Sequence, residues 1–174
     1  MFNYDTPVMK VYLAGLMSGE KLKETVSWRV QIREHYSNWK NSGKPYPILF
    51  EDPYSGPELE SIDPKGYTSN IPARAIIMGD YMSVKNADII VANLNSFGGS
   101  REPLGTQWEL AWCWQLQKPF IIISEDEKYS RHPFTAQACI FCKSVEELIN
   151  QKWLNYFYKR IAGANYSFID RDAK

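Results

Sequence analysis

Histidine is nearly missing from this chain, with two residues in 174, and cysteine is scarce, with three. A catalytic or metal site built on histidine is therefore a poor fit, and His132, which precedes Pro133 and Phe134, reads as a loop residue. The Cys139-x-x-Cys142 spacing invites a zinc or redox reading, but zinc needs a second ligand pair and none is spaced for it. Cys113 falls in an apolar helical pattern, where a buried thiol is ordinary. Charge of one sign is not in excess either: 20 Lys and Arg face 20 Asp and Glu, so no global field draws the protein to a nucleic acid polymer or an anionic membrane. No run approaches the roughly 20 apolar residues of a membrane span, and the first residues carry no basic leader. The expectation is a cytoplasmic protein whose partners are small molecules. Repeats and low-complexity tracts are also lacking, and the length suits a single domain over residues 1–174, with a loosely ordered tail after about residue 163.

What is present alternates between short apolar runs and amphipathic stretches. Residues 9–15 are rich in β-formers and end at Gly15, the shape of a first strand leaving a βα turn. From 20 to about 40, Leu22, Val26, Val30, Ile32 and Tyr36 recur at helical spacing. Residues 46–50 fit a second strand, followed by a Pro- and Gly-containing connection to about Ser69; so long an irregular segment is more often functional than accidental. Residues 71–85 read as a helix with proline near its start, 87–94 as a third strand buried on both faces, and 106–117 as the next helix. A fourth strand follows at 119–124, a fifth lies within 134–142, and Ser144 with Glu147 has capping-box spacing. This order implies an α/β fold: a doubly wound, mostly parallel five-stranded sheet flanked by helices, flavodoxin-like or Rossmann-like.

In such sheets ligands bind beyond the carboxyl ends of the strands. Three segments end there: Gly15 to Ser18, Glu51 with Asp52, and Asn93 through Thr106. Glu109 follows Gly105 and Thr106 closely, near the amide donors of a helix start, which favour its ionised form. A fixed carboxylate is a competent nucleophile at a sugar carbon, because a glycosidic centre reacts through an oxocarbenium-like state that an anion stabilises and traps. A plain capping box, Thr106-x-x-Glu109, explains the same residues equally well. Asn93 and Asn95 offer amides to a base or sugar, or serve turn formation. Trp28, Trp108, Trp112 and Trp114 read as core or interface aromatics, one of which could stack on a base.

Taken in order, Val11-Tyr12-Leu13-Ala14-Gly15, the helix bearing Asp80 ahead of the third strand, Gly105-Thr106-Gln107-Trp108-Glu109 and Lys118-Pro119 before the fourth strand resemble the nucleoside 2-deoxyribosyltransferase family, which includes related deoxynucleoside monophosphate N-hydrolases. The resemblance implies roles residue by residue. Glu109 matches the nucleophile that holds the deoxyribosyl intermediate, Asp80 the acid/base aspartate, and Tyr12 the first-strand tyrosine that positions the nucleophile. Asp80 could equally be a solvated helix charge, and Tyr12 a core aromatic with a polar tip. Gly15, Ser18, Asn93, Ser100, Arg101, Gly105 and Thr106 fall where substrate is bound. The partners implied are a nucleoside or nucleotide and a free nucleobase, with no metal or organic cofactor and a homo-oligomeric assembly. The tryptophan-rich helix 108–114 and the aromatic segment 153–158 would suit the contact.

One position departs from the family. Six residues before the nucleophile, many deoxyribosyltransferases carry an aspartate that binds the sugar hydroxyls and the N-hydrolases a serine that helps hold phosphate, whereas this chain has Pro103. Ser100, Arg101 and Glu102 lie beside it in an enlarged loop; Arg101 and Ser18 could grip a 5′-phosphate, or Arg101 could be a solvated charge. Transfer of a deoxyribosyl group to another base is the expected activity, hydrolysis of a deoxynucleoside 5′-monophosphate the alternative, and a non-catalytic nucleotide-binding module a third.

Overall fold

Five short apolar runs pair side by side, and their order in space sets where the site lies. In the computed structural model, which describes residues 7–17, 22–37, 47–53, 71–97 and 102–161, they form strands β1 (Met9–Gly15), β2 (Ile48–Glu51), β3 (Ile89–Asn93), β4 (Phe120–Ile123) and β5 (Ile140–Cys142). The sheet order is β2-β1-β3-β4-β5 and every pair is parallel, so the mostly parallel expectation becomes wholly parallel. This is the order of a flavodoxin-like doubly wound sheet, with its reversal of direction between β1 and β3. Among the described residues the helices are α1 (Leu22–Ser37), α2 (Ala73–Asn86), α3 (Leu104–Gln115), α4 (Glu127–Arg131), α5 (Val145–Asn150) and α6 (Trp153–Ile161), with a 3-10 turn at Thr135–Gln137.

Every residue of β3 and β4 is buried, which explains their uninterrupted apolar sequence: both faces are covered. One face packs Val11, Leu13, Val91 and Ile121 against Trp28, Ile32 and Tyr36 of α1 and Leu148, Leu154 and Tyr158 of α5 and α6. The other packs Tyr12, Ala14, Ile90, Ala92 and Ile122 against Val84 of α2, Leu110 and Cys113 of α3, and Tyr129 of α4. Each fully buried aliphatic side chain contributes on the order of 1.5–3 kcal/mol. Among the described residues no helix is long and apolar enough to cross a membrane.

Several expectations are corrected. In α1 the core-facing residues are Thr25, Trp28, Arg29, Ile32 and Tyr36, while Val30 is exposed; the valines suggested a different face because an arginine occupies a core position. Helix α6 had no counterpart in the hydropathy pattern, and neither did the short α4. Within the 153–158 segment Leu154 and Tyr158 are core residues, the Tyr158 hydroxyl donating to Pro7 O at 3.0 Å, while Tyr156 is exposed. The predicted cap at Ser144 is present, its Oγ accepting from Glu147 N at 3.2 Å. The tail, expected to be loosely ordered, lies outside the described residues, as does most of the long connection after β2.

Candidate active site

Strand β1 alternates its side chains, so Tyr12 faces α2 and α3 while Val11 and Leu13 face α1. Helix α3 returns across the carboxyl end of the sheet and brings Glu109 down onto that tyrosine. The Tyr12 hydroxyl donates to Glu109 Oε1 at 2.7 Å and lies 3.4 Å from Asp80 Oδ1 of α2. Two residues separated by 68 and 97 positions from Tyr12 in the chain thus meet at its phenolic oxygen. Tyr12 and Glu109 are buried, at 1% and 5% exposure, and Asp80 is half-buried.

The helix start differs from the capping-box explanation of Glu109. Helix α3 begins at Leu104, its N-cap position falls to Pro103, and no side chain caps it; Thr106 is a buried residue within the first turn. Proline suits a helix start because its φ is already set and its missing N–H would have had no partner there. The first intrahelical bond runs from Gln107 N to Pro103 O at 3.0 Å. Glu109 therefore sits in the second turn, beyond the unpaired amides, and its partner is Tyr12. The approach to the helix is anchored by Glu102, whose carboxylate accepts from the Tyr129 hydroxyl at 2.9 Å and from Lys128 Nζ at 3.3 Å.

The electrostatics follow from this placement and reverse the expectation of a favoured carboxylate. Burial pushes the Glu109 carboxyl up to about 8, opposed by the Tyr12 hydrogen bond, raised further by Asp80 and lowered by the positive charge of Arg29. Burial also raises Asp80, to about 6, with the Tyr12 hydroxyl opposing it. Desolvation and the two neighbouring carboxyls hold the Tyr12 phenol well above its usual range. A phenol has one proton to give. With that proton on Glu109, Asp80 approaches the phenolic oxygen as a donor when it is itself protonated.

The backbone beside this cluster is tightly packed. A Cβ on Gly15 would meet Trp28 Cζ2 at 3.0 Å, Arg29 Nη2 at 3.2 Å and Asn93 O at 3.3 Å, so only glycine fits there without displacement. Arg29, fully buried, donates from Nε to Leu13 O at 3.2 Å and from Nη2 to Gly15 O at 3.0 Å. Nothing in the apolar pattern of α1 pointed to this residue; the available signal was an arginine on the same helical stripe as Thr25, Ile32 and Tyr36.

The remaining candidates divide. Asn93 is buried at the end of β3, but its Oδ1 accepts from Asn95 N at 3.0 Å, and Asn95 Oδ1 accepts from Glu125 N at 2.9 Å, so both amide oxygens are committed to loop structure. Gly105 is exposed with open space around it, and Thr106 is buried. Asp52 is buried and paired with Arg33 of α1 at 2.5 Å. Trp28 is a core residue, Trp112 packs edge-on against Tyr81 at 5.4 Å between ring centroids, and Trp108 and Trp114 are exposed. Ser18, Ser100 and Arg101 lie outside the described residues. Cys139 is exposed and Cys142 buried, and among the described residues no group of three or more His, Cys, Asp or Glu side chains is placed to hold a metal.

No protein-family model and no curated protein sequence matches the chain. Solved structures share its fold. A 2-deoxyribosyltransferase from the psychrotolerant bacterium Bacillus psychrosaccharolyticus superposes with a TM-score of 0.56 at 18% identity, over 84% of this chain and 94% of that one. A conserved protein from Enterococcus faecalis V583 gives a TM-score of 0.59 at 16% identity, over 84% of this chain and 99% of that one. BlsM, whose structure was determined in solution, gives 0.55 at 16% identity, over 92% and 98%. At these identities the likeness is one of fold.

Proposed function

We propose that this protein is an enzyme that breaks the N-glycosidic bond of a 2′-deoxynucleoside and passes the deoxyribosyl group to another nucleobase. The observation that carries the proposal is the convergence of Glu109 and Asp80 on the Tyr12 hydroxyl, which lies 2.7 Å from Glu109 and 3.4 Å from Asp80. In the first step a Glu109 carboxylate oxygen bonds to C1′ while the C1′–N bond breaks, and Asp80 gives its proton to the departing base. In the second, a nitrogen of the incoming base bonds to C1′, the ester to Glu109 breaks, and Asp80 takes the incoming base's proton. Tyr12 holds the nucleophilic carboxyl at a fixed angle, which removes an orientational cost from the first step. A carboxylate nucleophile supplies this chemistry without a metal or organic cofactor.

The rest of the proposal concerns setting. The reaction is one of cytoplasmic nucleotide salvage, carried by a single domain that associates with copies of itself. Exposed Ile77, Met78 and Met82 of α2 and Leu104 and Trp108 of α3 give an apolar face beside the site, of the kind a second subunit covers.

Incubation with a 2′-deoxynucleoside and a different free base tests the chemistry, the expected outcome being exchange of bases. Release of base from a 5′-monophosphate alone, with water as the acceptor, would instead make the protein a hydrolase. A 2-fluoro-arabinosyl nucleoside should leave a covalent sugar on the peptide containing Glu109, visible by mass spectrometry. If neither adduct nor turnover appears with any base, the protein binds nucleotides without acting on them.

A further inference from the structure

Arg29 is a buried cation that the proposed chemistry does not use, and its surroundings are built for it. Strand β2 accompanies β1 only as far as Tyr12, which lies opposite Glu51. Beyond that point the Arg29 guanidinium takes up β1 carbonyls: Leu13 O from Nε at 3.2 Å and Gly15 O from Nη2 at 3.0 Å, with Leu16 O at 3.4 Å from Nη1. Nη1 also returns to its own helix at Thr25 O, at 2.5 Å. A planar group with five N–H donors matches such a fan of acceptors, which a lysine's single nitrogen cannot reach together. Gly15 permits the approach, since a Cβ there would stand 3.2 Å from Nη2. The guanidinium also lies over the Trp28 ring, 4.5 Å from its centroid.

Placement makes this more than a way to finish a strand. Arg29 grips the carboxyl end of β1 from the α1 side, and Tyr12, three residues before Gly15, presents its hydroxyl to Glu109 on the other side of the same strand. We propose that Arg29 is a positioning residue, whose guanidinium fixes the end of β1 that carries Tyr12 and sets a positive charge behind Glu109 across the strand. The groups around Glu109 are Tyr12 of β1, Asp80 of α2 and Cys113 one turn along α3, while Arg29 of α1 acts on it by charge from the opposite side of β1. Of these Arg29 is the cation, and its field lowers the proton affinity of both Glu109 and Tyr12. The inference rests on the proposed role of Glu109 for its consequence in catalysis, but the charge itself can be read without any turnover.

The test compares R29M, R29Q and R29K with the wild-type protein by two measurements. The first is the titration of the Glu109 side-chain carboxyl by NMR of protein carrying 13C-carboxyl glutamate, with the resonance assigned from its loss in Glu109→Gln. The second is the pH profile of base exchange on a 2′-deoxynucleoside, or of base release from the 5′-monophosphate. In R29M and R29Q the Glu109 titration should move up by about one pH unit. The alkaline limb of the profile should move with it while the acid limb stays, and the plateau of kcat/KM should fall about tenfold. R29K, which keeps the charge, should restore the titration. An unmoved titration in folded R29M or R29Q overturns the inference even where the protein is active, as does an activity loss equal at every pH. Failure of both neutral variants to fold would assign Arg29 to the fold alone and also overturn it. If the titration moves but the wild-type protein acts on no deoxynucleoside, the inference stands and the proposed function falls.

Discussion

Glu109 keeps its carboxyl where ionisation is costly, and this separates its contribution to stability from its contribution to chemistry. The folded protein holds the Glu109 proton up to about 8 against an ordinary value of 4.5. An acid whose folded value is raised adds stability that is fully present below its unfolded value and lost as pH rises through the folded one. Glu109→Gln, which stays neutral, should therefore melt close to wild type at pH 4 and on the order of 10 °C higher at pH 9 by scanning calorimetry, while turnover falls at least about a thousandfold. A melting difference independent of pH would mean that the carboxyl is not the buried, neutral group its surroundings imply. The coupled carboxyls also shape the rate. With Asp80 at about 6 and Glu109 at about 8, the pair holds a single proton near pH 7 that rests mainly on Glu109, and the reactive form is the minor one that carries it on Asp80 instead; kcat/KM should still be a bell with its maximum near pH 7 and limbs that belong to the pair. Tyr12→Phe removes the hydrogen bond that lowers both groups. Both limbs should move to higher pH and kcat/KM should fall about 10–100-fold, the worth of one hydrogen bond to a charged group.

The elements that carry these residues differ in how plainly the sequence announces them. Strands β1, β3 and β4 are legible because a parallel strand covered on both faces must be apolar throughout, and Gly15 and Pro103 mark where the chain turns. The meeting of Tyr12, Asp80 and Glu109 was legible only through their order along the chain, since no local pattern places residues 97 positions apart in contact. Arg29 was not legible: hydropathy assigns arginine to the surface, and its burial depends on carbonyls offered by a strand end that the helical pattern does not contain. The charge state of Glu109 is hidden in the sequence for a related reason. Helix α3 starts at Leu104 rather than Thr106, and those two residues move the carboxyl from the amide-rich first turn into the buried second. The junction of β1 and α1 gives this a measurable consequence. Gly15→Ala places a Cβ 3.0 Å from Trp28 Cζ2 and 3.3 Å from a backbone oxygen, so it should destabilise the fold by about 1–3 kcal/mol in urea titrations. A smaller cost would mean that the Trp28 and Arg29 side chains are not held as rigidly against β1 as their contacts imply.

At the scale of the whole molecule, the two faces of the sheet are finished differently. On the α1 side, Leu154 and Tyr158 of α6 extend the core across the sheet. On the opposite side, α2 and α3 pack on the sheet yet leave Ile77, Met78, Met82, Leu104 and Trp108 about half exposed or more. Trp108 leans edge-on against Trp112 at 6.3 Å between ring centroids, and Trp112 against Tyr81, so the exposed Trp108 is continuous with a packed aromatic layer that joins α3 to α2. Isolated exposed apolar residues need no explanation, but five on two adjoining helices have the character of an interface. The face is on the same two helices as Asp80 and Glu109, so a subunit seated on it would shield the proposed site from water as well as bury the apolar surface. Light scattering coupled to size exclusion should therefore report an oligomer for the wild-type protein, and the double change Met78→Glu with Trp108→Glu should shift it to monomer. Because neither side chain is buried in one chain, the monomer should keep its helical circular dichroism, while base exchange falls by more than about tenfold through loss of that shielding. A wild-type monomer with full exchange activity would rule out the shared face, leaving the apolar patch unexplained and the Tyr12, Asp80 and Glu109 cluster sufficient within one chain.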